Sequence, residues 1–566
     1  MTRPLRIGIL IDPNRSLMDW ETRLFVALFK DPRFEVVCTM KDARSEGQPA
    51  PSRFSRVLAR IRSGSFIRSE LIRLIEIVEK KQRKGLRPTF TREDAELVRT
   101  RLAEIPCLSL FPERKNHVDK FSKEDCSEIY PLDLDVIIRR DFNIVRGALL
   151  TASRHGIWSF HHADNKINRG GPAGFWEIFL GEGITGSTLQ VLEDELDGGK
   201  VIAKGFYNTR AHWAGNNEFI LEKSVELMTR ELARLYETGA VRCEASGIYS
   251  KQLYRSPKLS VLLAYALRVP VKAIMYGIFR RLRLVSTKRN IWKLHYGKRD
   301  VTKGGVLNAV LWRTKTIEPP AGEFWADPFL MERDGKTYLF FENYVFATER
   351  GKISVAELTK KGIGEVQDAI DTDYHFSYPF PIEYEGETYL IPDTSSMNRL
   401  EIWRCLEFPT RWELYRTRFE GVSMADSNIV VDDSGQYWLF TSISYDKYAD
   451  HCSHLYVFKI NSPLMDEIEP HKFNPVVTDS RFGRNAGELF RDSDGRLIRC
   501  CQASQNGVYG ESLNLVWVKK LSLTEYEEVL IDTITPDYKD GMFATHHLTQ
   551  AGDRFVTDGC YHESPK

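Results

Sequence analysis

Two hydrophobic rhythms divide this chain. Up to about residue 245, short apolar runs alternate with stretches whose apolar residues recur every three or four positions. Leu5–Ile11 is an apolar run that stops at Asp12-Pro13, Met18–Phe29 has helical spacing, and Phe34–Cys38 is apolar again. Strand, helix, strand at this spacing predicts the opening of a doubly wound α/β sheet. Leu134–Ile138 and Ile157–Phe160 read as further strands, with a helix expected over about Ile144–His155 between them. Asn217–Glu237 reads as an amphipathic helix that closes this domain. Residues 41–128 are polar, basic and helical in pattern, and are expected to be an insertion into the domain.

After Val301 the rhythm becomes that of short strands separated by turn residues, and it repeats. WADPFLMERDGKTYLFF (Trp325–Phe341) is echoed by SYPFPIEYEGETYLIP (Ser377–Pro392), MADSNIVVDDSGQYWLF (Met424–Phe440) and NAGELFRDSDGRLIRCC (Asn485–Cys501), and more faintly by ATHHLTQAGDRFVTDG (Ala544–Gly559). Each copy is a polar turn, an apolar strand, a glycine-containing turn and a second strand. Repeats of this size predict blades, and five of them closing a ring predict a five-bladed β-propeller. The expected organisation is therefore multidomain: an α/β, Rossmann-like domain over 1–245, a linker over 246–302, and an all-β propeller over 303–566.

Charge sharpens this division. The chain of 566 residues has a net charge of only +1, but residues 301–566 hold 27 Lys and Arg against 42 Asp and Glu. The front half is correspondingly basic. An acidic propeller repels a polyanion, so no nucleic-acid partner is expected. Residues 251–300 carry thirteen basic residues and one acid, Asp300, around an apolar stretch, Leu259–Phe279. Arg268 and Lys272 interrupt that stretch, and burying them in a bilayer costs about 2.5–3.5 kcal/mol each, which argues against a spanning helix. Two readings stay open: an in-plane helix presenting Arg280, Arg281 and Arg283 to anionic lipid, or a helical linker packed on a domain. The nine cysteines lack metal spacing, so no metal is expected, and the N-terminus reads as a strand and not as a signal peptide. A cytoplasmic protein, peripheral to the inner face of the membrane, is the expected setting.

Candidate chemistry concentrates in Gly156–Lys200. There a histidine pair (His161, His162), a turn (Arg169, Gly170, Gly171, Pro172) and an acid before two glycines (Asp197) follow one another. An imidazole and a carboxylate on separate loops suit acyl transfer to an amine, in which an oxyanion is stabilised and a proton accepted. Ser159-Phe160-His161, Arg169-Gly170, Thr185-Gly186-Ser187-Thr188 and Leu196-Asp197-Gly198-Gly199 resemble, in order and spacing, the motifs of the formyltransferase family, with Ser159 where the family has asparagine. The resemblance implies a catalytic set of His161, Asp197 and Ser159, and donor contacts around Arg169, Gly170, Gly171, Thr185 and Gly186. It also implies 10-formyltetrahydrofolate as donor and a nucleotide- or lipid-linked amino sugar as acceptor, in surface-glycan biosynthesis.

The propeller offers a second candidate. Asp327, Asp426 and Glu488 stand early in blades one, three and four, and His546 opens blade five. This pattern resembles the five-bladed glycosidases of the arabinanase and xylosidase type. The resemblance implies Asp327 as base, Asp426 as modulator and Glu488 as acid. Glycan binding without hydrolysis, a glycosyl-transferring site, and hydrolysis all remain open from the residues alone.

Overall fold

The computed structural model describes residues 3–44, 66–81, 85–194, 199–245, 247–271, 275, 288–299 and 309–564. The chain divides into two compact units, Met1–Met275 with Asp446–Tyr448, and Tyr276–Tyr445 with Ala449–Lys566.

The first unit is built on a seven-stranded sheet. In spatial order its strands are Lys200–Asn208, Ile184–Val191, Ile157–His161, Val136–Arg139, Leu5–Leu10, Phe34–Asp42 and Cys107–Leu110. The pairings from Ile157–His161 to Cys107–Leu110 are parallel, and Ile184–Val191 and Lys200–Asn208 add antiparallel strands at the other edge. Side chains of a strand alternate between faces, and here both faces are covered. Leu5, Ile7, Ile9, Val136, Ile138 and Trp158 are buried in one core, against residues of the helices Asp19–Lys30 and Trp213–Thr238. Leu10, Ile137 and Ile157 are buried in the other. A strand covered on both sides needs an unbroken apolar run, which is what made these segments legible.

Two sequence expectations fail in this unit. The helix expected over Ile144–His155 is instead a strand, Ile144–Gly147, followed by a 3-10 turn at Ala148–Thr151. β-Branched Ile144 and Val145 favour the strand, which pairs in parallel with Val118–Phe121 in a small separate sheet. Residues 41–128 do contain the helices Phe66–Lys81 and Arg92–Glu104, but they also supply Cys107–Leu110, the edge strand of the main sheet. The region is thus partly core and not only an insertion.

The apolar segment after residue 258 forms a helix, Leu259–Ala266, continued by a π turn at Leu267–Val271. Leu262 and Tyr265 are fully buried with Ile75, Phe175 and Trp213. The Tyr265 hydroxyl donates to Glu79 Oε1 (2.5 Å) and accepts from the Trp213 backbone N–H (2.9 Å). This part of the segment is a packed element of the first unit. Arg280, Arg281 and Arg283 lie outside the described residues. No helix among the described residues is long and apolar enough to cross a membrane.

The second unit consists of five antiparallel sheets. Four follow the repeats in order, and their innermost strands are Glu323–Arg333, Ser377–Tyr384, Met424–Val431 and Arg484–Asn485, with neighbouring inner strands in contact. The fifth is assembled from both ends of the unit: Arg289–Lys298 pairs along its whole length with Arg554–Glu563. This corrects the expected start of the propeller at 303. RNIWKLHYGK, read as part of a basic linker, is a strand of blade five and latches the ring shut. A closed ring leaves no inner edge to pair with a foreign strand.

Leu294, at the centre of that latch, is fully buried among Leu330, Leu339, Leu358 and Val556. Leu294→Ala is expected to lower the unfolding free energy by about 2–5 kcal/mol, read as a fall in denaturant midpoint. A loss below about 1 kcal/mol would show that the latch lies outside the cooperative core.

Candidate functional site

The innermost strands of blades one, two and three share one irregularity. Between Ala326 and Phe329, Ser377 and Phe380, and Ala425 and Asn428 the register slips, so two residues face one on the partner strand. The first residue of each bulge, Asp327, Tyr378 and Asp426, has φ of 49°, 49° and 50°. Left-handed backbone costs a non-glycine residue about 1–2 kcal/mol, and three such positions at the same place in three blades form one constructed feature. In blade four the corresponding residue is Gly487, with φ 121°. A Cβ there would lie 1.9 Å from the Leu548 carbonyl oxygen, so only glycine fits.

These bulges meet a second ring of polar residues that the sequence reading missed. The second strands of blades one and two carry Glu342 and Asp393 beside the bulges, and the strand Arg554–Glu563 of blade five carries Asp558, all buried. Their signal was present in the sequence, since the second strand of each repeat ends an apolar run in a polar residue: LFFE, LIPD, LFTS, RCCQ, FVTD.

The polar residues are connected across blades. Arg484 grips Asp426 with both arms (Nε to Oδ2 2.5 Å, Nη2 to Oδ1 3.0 Å) and stands 3.7 Å from Asp393. Gln502 Nε2 also donates to Asp426 Oδ2, at 2.9 Å. Burial opposes the Arg484 charge, but Asp426 outweighs it and holds the guanidinium well above its ordinary value. The Tyr378 hydroxyl accepts from the Gly487 N–H (3.0 Å) and from Asn428 Nδ2 (2.5 Å), joining blades two, three and four. His546 stacks on Trp292 (ring centroids 3.9 Å apart), with Nδ1 2.6 Å from Asp558 and Nε2 3.7 Å from Asp327. Burial works against a charged His546, but Asp558 and then Asp327 raise it above its ordinary value.

Two carboxyls here are driven in opposite directions. Burial would raise Asp327, but His547, 3.4 Å away, with the charges of His546 and Arg484, holds it at about 2. Glu342 is raised well above the carboxylate range, by burial first and then by Asp327, Asp393, Asp558 and Asp426. His375 Nε2 faces Glu342 at 3.6 Å, while its Nδ1 accepts from the Gly351 N–H. The site therefore holds one carboxyl pushed towards its ionised form and another pushed towards its protonated form, the divergence that general acid–base chemistry uses. Ligand atoms of Asp327, His546 and Asp558 lie within 4.8 Å of one another and form the set that could hold a metal ion among the described residues.

Of the sequence-predicted propeller residues, Asp327, Asp426 and His546 stand together. Glu488 is one step beyond the bulge: its Oε1 accepts from the Gln550 N–H at 2.8 Å, across to blade five.

In the first unit, His161 and Ser159 lie at the end of Ile157–His161, but both have other employment. The Ser159 hydroxyl accepts from Arg139 Nη1 (3.0 Å), and His161 Nε2 is bonded to the Asn168 carbonyl (2.7 Å). Arg169 donates to the Asn165 carbonyl (2.9 Å) and lies over Tyr249, and Gly170 packs on Tyr254. The Gly171 carbonyl accepts from Trp176 (3.1 Å). Thr185 shares a buried hydrogen bond with Thr209, and a Cβ at Gly186 would meet the Asp164 backbone at 2.4 Å. Asp197 lies outside the described residues.

Comparison with known proteins points to the second unit. Residues 295–549 match the family model described as glucosamine inositolphosphorylceramide transferase 1, N-terminal. Curated relatives named glucosamine inositolphosphorylceramide transferase 1 are 34% identical over 253 residues in Oryza sativa subsp. japonica and 32% identical over 245 residues in Arabidopsis thaliana. Each alignment covers 43% of this chain, and the chain spans about a third of those relatives' length (33% and 31%). Among solved structures, a thermostable family-43 glycoside hydrolase is similar at 13% identity and a TM-score of 0.33, over 43% of this chain and 90% of that one.

These findings correct the expected activity. The curated relatives carry the name of a glucosamine transferase acting on a sphingolipid, and not of a formyltransferase. Assignment to the formyltransferase family, N-formyl transfer and 10-formyltetrahydrofolate as co-substrate are all set aside. The first unit keeps its α/β sheet without that assignment. The commitments of Ser159 and His161 to Arg139 and Asn168 give the physical counterpart.

Two outcomes test the propeller site. Asp327 is held below its ordinary 3.8, so the stability it supplies is complete above about pH 4 and is lost as pH falls towards 2. Asp327→Asn is expected to flatten that acid limb by about 2 kcal/mol, measured by urea unfolding at pH 2–5. Arg484→Met leaves Asp426 buried without its cation, and is expected to cost about 3–5 kcal/mol at pH 7, while adding Asp426→Asn recovers much of that loss.

Proposed function

We propose that this chain acts in glycosyl transfer, and that the acidic centre of its propeller receives an amino sugar. One observation carries the reading: the acidic side chains of Asp327, Glu342, Asp393, Asp426 and Asp558 converge on a site whose basic partners include Arg484 and His546. An excess of carboxylates suits a sugar that bears an ammonium group, because a buried anion is stable only when a cation meets it. The match of residues 295–549 to a family named for glucosamine transfer supports the same substrate class. The acceptor inferred from the relatives' name is an inositol phosphoryl lipid.

In this reading Asp327, ionised, takes the proton of the attacking hydroxyl. Glu342, protonated, gives its proton to the departing oxygen, and His375 orients it. Arg484 and Gln502 hold Asp426 in place. The role first expected for Glu488 passes to Glu342, since Glu488 is bonded to the backbone of blade five.

A second reading, a glycan-binding module without turnover, is favoured by the confinement of the family match to the part named N-terminal. One experiment separates the two. Purified chain is given nucleotide-linked glucosamine and inositolphosphorylceramide, and transfer is followed by mass spectrometry. Turnover that falls about 10²–10⁴-fold in Asp327→Asn and in Glu342→Gln, and persists in His161→Ala, is the expected result. Saturable glucosamine binding without product would establish the module, and absence of both overturns the proposal.

A further inference from the structure

The first unit contains a cavity that this function does not use. It lies at the carboxyl ends of Val136–Arg139 and Ile157–His161, has a volume of about 100 Å³, and is lined by Arg139, Arg146, Ser159, His161, Gln190 and Glu193, among others. The carboxyl ends of parallel strands are where open α/β sheets place ligands.

Its charge is unbalanced. Arg139 donates to Ser159 Oγ (3.0 Å) and to the Phe142 carbonyl (3.1 Å), while its Nε is buried with no partner. Arg146 donates to the Glu193 carbonyl at 2.6 Å. Neither guanidinium forms an ion pair among the described residues. The carboxylates closest in influence are committed elsewhere: Asp119 to Arg114 and the Asn143 N–H, Asp141 to Arg15 and the Asp12 N–H. Among the described residues the one acid on the wall, Glu193, is paired with Lys200 at 3.1 Å. His161 adds an imidazole whose Nε2 points to the Asn168 carbonyl. The field of these groups is visible on the neighbouring ring: burial first, then Arg140, His161 and Arg139 press His162 down to about 3.

A guanidinium taken from water with no anion is costly, and its planar fork matches the two oxygens of a phosphate or carboxylate. One water needs about 10–15 Å³ of such cavity space, so the cavity has room for one such group. We propose that this cavity is an oxyanion-binding site that takes the phosphate or carboxylate end of a ligand between Arg139 and Arg146, with Ser159 and Gln190 beside it. It is independent of the propeller site and stands whether or not glycosyl transfer does.

Calorimetric titration of the full-length chain at low salt, once with inorganic phosphate and once with acetate, tests the site and separates its two sources. Binding in the millimolar range or tighter is expected for at least one of them, and the one that binds names the group. Arg146→Gln is expected to weaken that binding about tenfold or more, and Arg146→Lys to weaken it less. Arg139→Gln should do the same, but it also releases Ser159 and Phe142. Should it unfold the unit, Arg146→Gln, which loses one bond to a backbone carbonyl, decides. No heat with either anion, or equal affinity in wild type and Arg146→Gln, overturns the site.

Discussion

One carboxylate, that of Asp558, holds the second unit in the form its site requires. It is fully buried and accepts the backbone N–H groups of His546 (2.9 Å) and His547 (3.0 Å) within blade five, and that of Asp327 (3.3 Å) in blade one. The last blade is thereby tied to the first by hydrogen bonds to a charge, the stronger kind. The same carboxylate sits 2.6 Å from His546 Nδ1, so the group that closes the ring also favours the charged form of the imidazole inside it. Stability and site chemistry cannot be varied independently there. The latch strand Arg289–Lys298 reinforces this closure, and stacks Trp292 on a face of the same imidazole.

The rest of the site follows from how strain is distributed. Three left-handed, non-glycine residues cost backbone energy in three blades, and each is held by groups from other blades: Asp327 beside His546 and His547, Tyr378 bonded to Gly487 and Asn428, Asp426 to Arg484 and Gln502. A bulge turns its side chain inward only because that cross-blade partner exists. Blade four departs from the pattern because its backbone approaches Leu548 too closely for a side chain, and its contribution comes from Arg484, three residues earlier.

This explains what the sequence disclosed and what it withheld. The repeat exposed the blades, because paired strands and glycine turns recur with the period of the fold. Asp327, Asp426 and His546 were legible because each opens a copy of that repeat. Glu488 stands one residue beyond the bulge position, because in NAGELF that position is the glycine, which aligning copies by acidity overlooks. Glu342, Asp393 and Asp558 follow apolar runs on second strands, where a polar residue looks like an ordinary strand terminus although two of these strands continue past it. The latch was hidden by charge: thirteen basic residues over 251–300 drew RNIWKLHYGK into a linker, although Trp292, Leu294 and Tyr296 alternate with Ile291, Lys293 and His295 as a strand's residues do. In the first unit the fully covered strands were legible, whereas Cys107–Leu110, at the edge of the main sheet, was not.

The Gly156–Lys200 stretch shows how a motif can be locally faithful and still mislead about chemistry. Ser159 and His161 lie at the end of their strand, and Gly186 lies in the strand Ile184–Val191, packed on the Asp164 backbone. What spacing could not convey is who else reaches the same atoms. Arg139 arrives from the adjacent strand, twenty residues earlier, and takes the Ser159 hydroxyl. Asn168 turns its carbonyl back onto His161. With the hydroxyl serving as an acceptor and the imidazole fixed by a carbonyl, the electrostatic character of the place is set by two guanidiniums that meet no carboxylate among the described residues. A site of that character attracts an anion, whereas the carboxylates of the propeller attract a cation. The opposed net charges of the two halves of the chain, basic before residue 301 and acidic after it, run in the same sense.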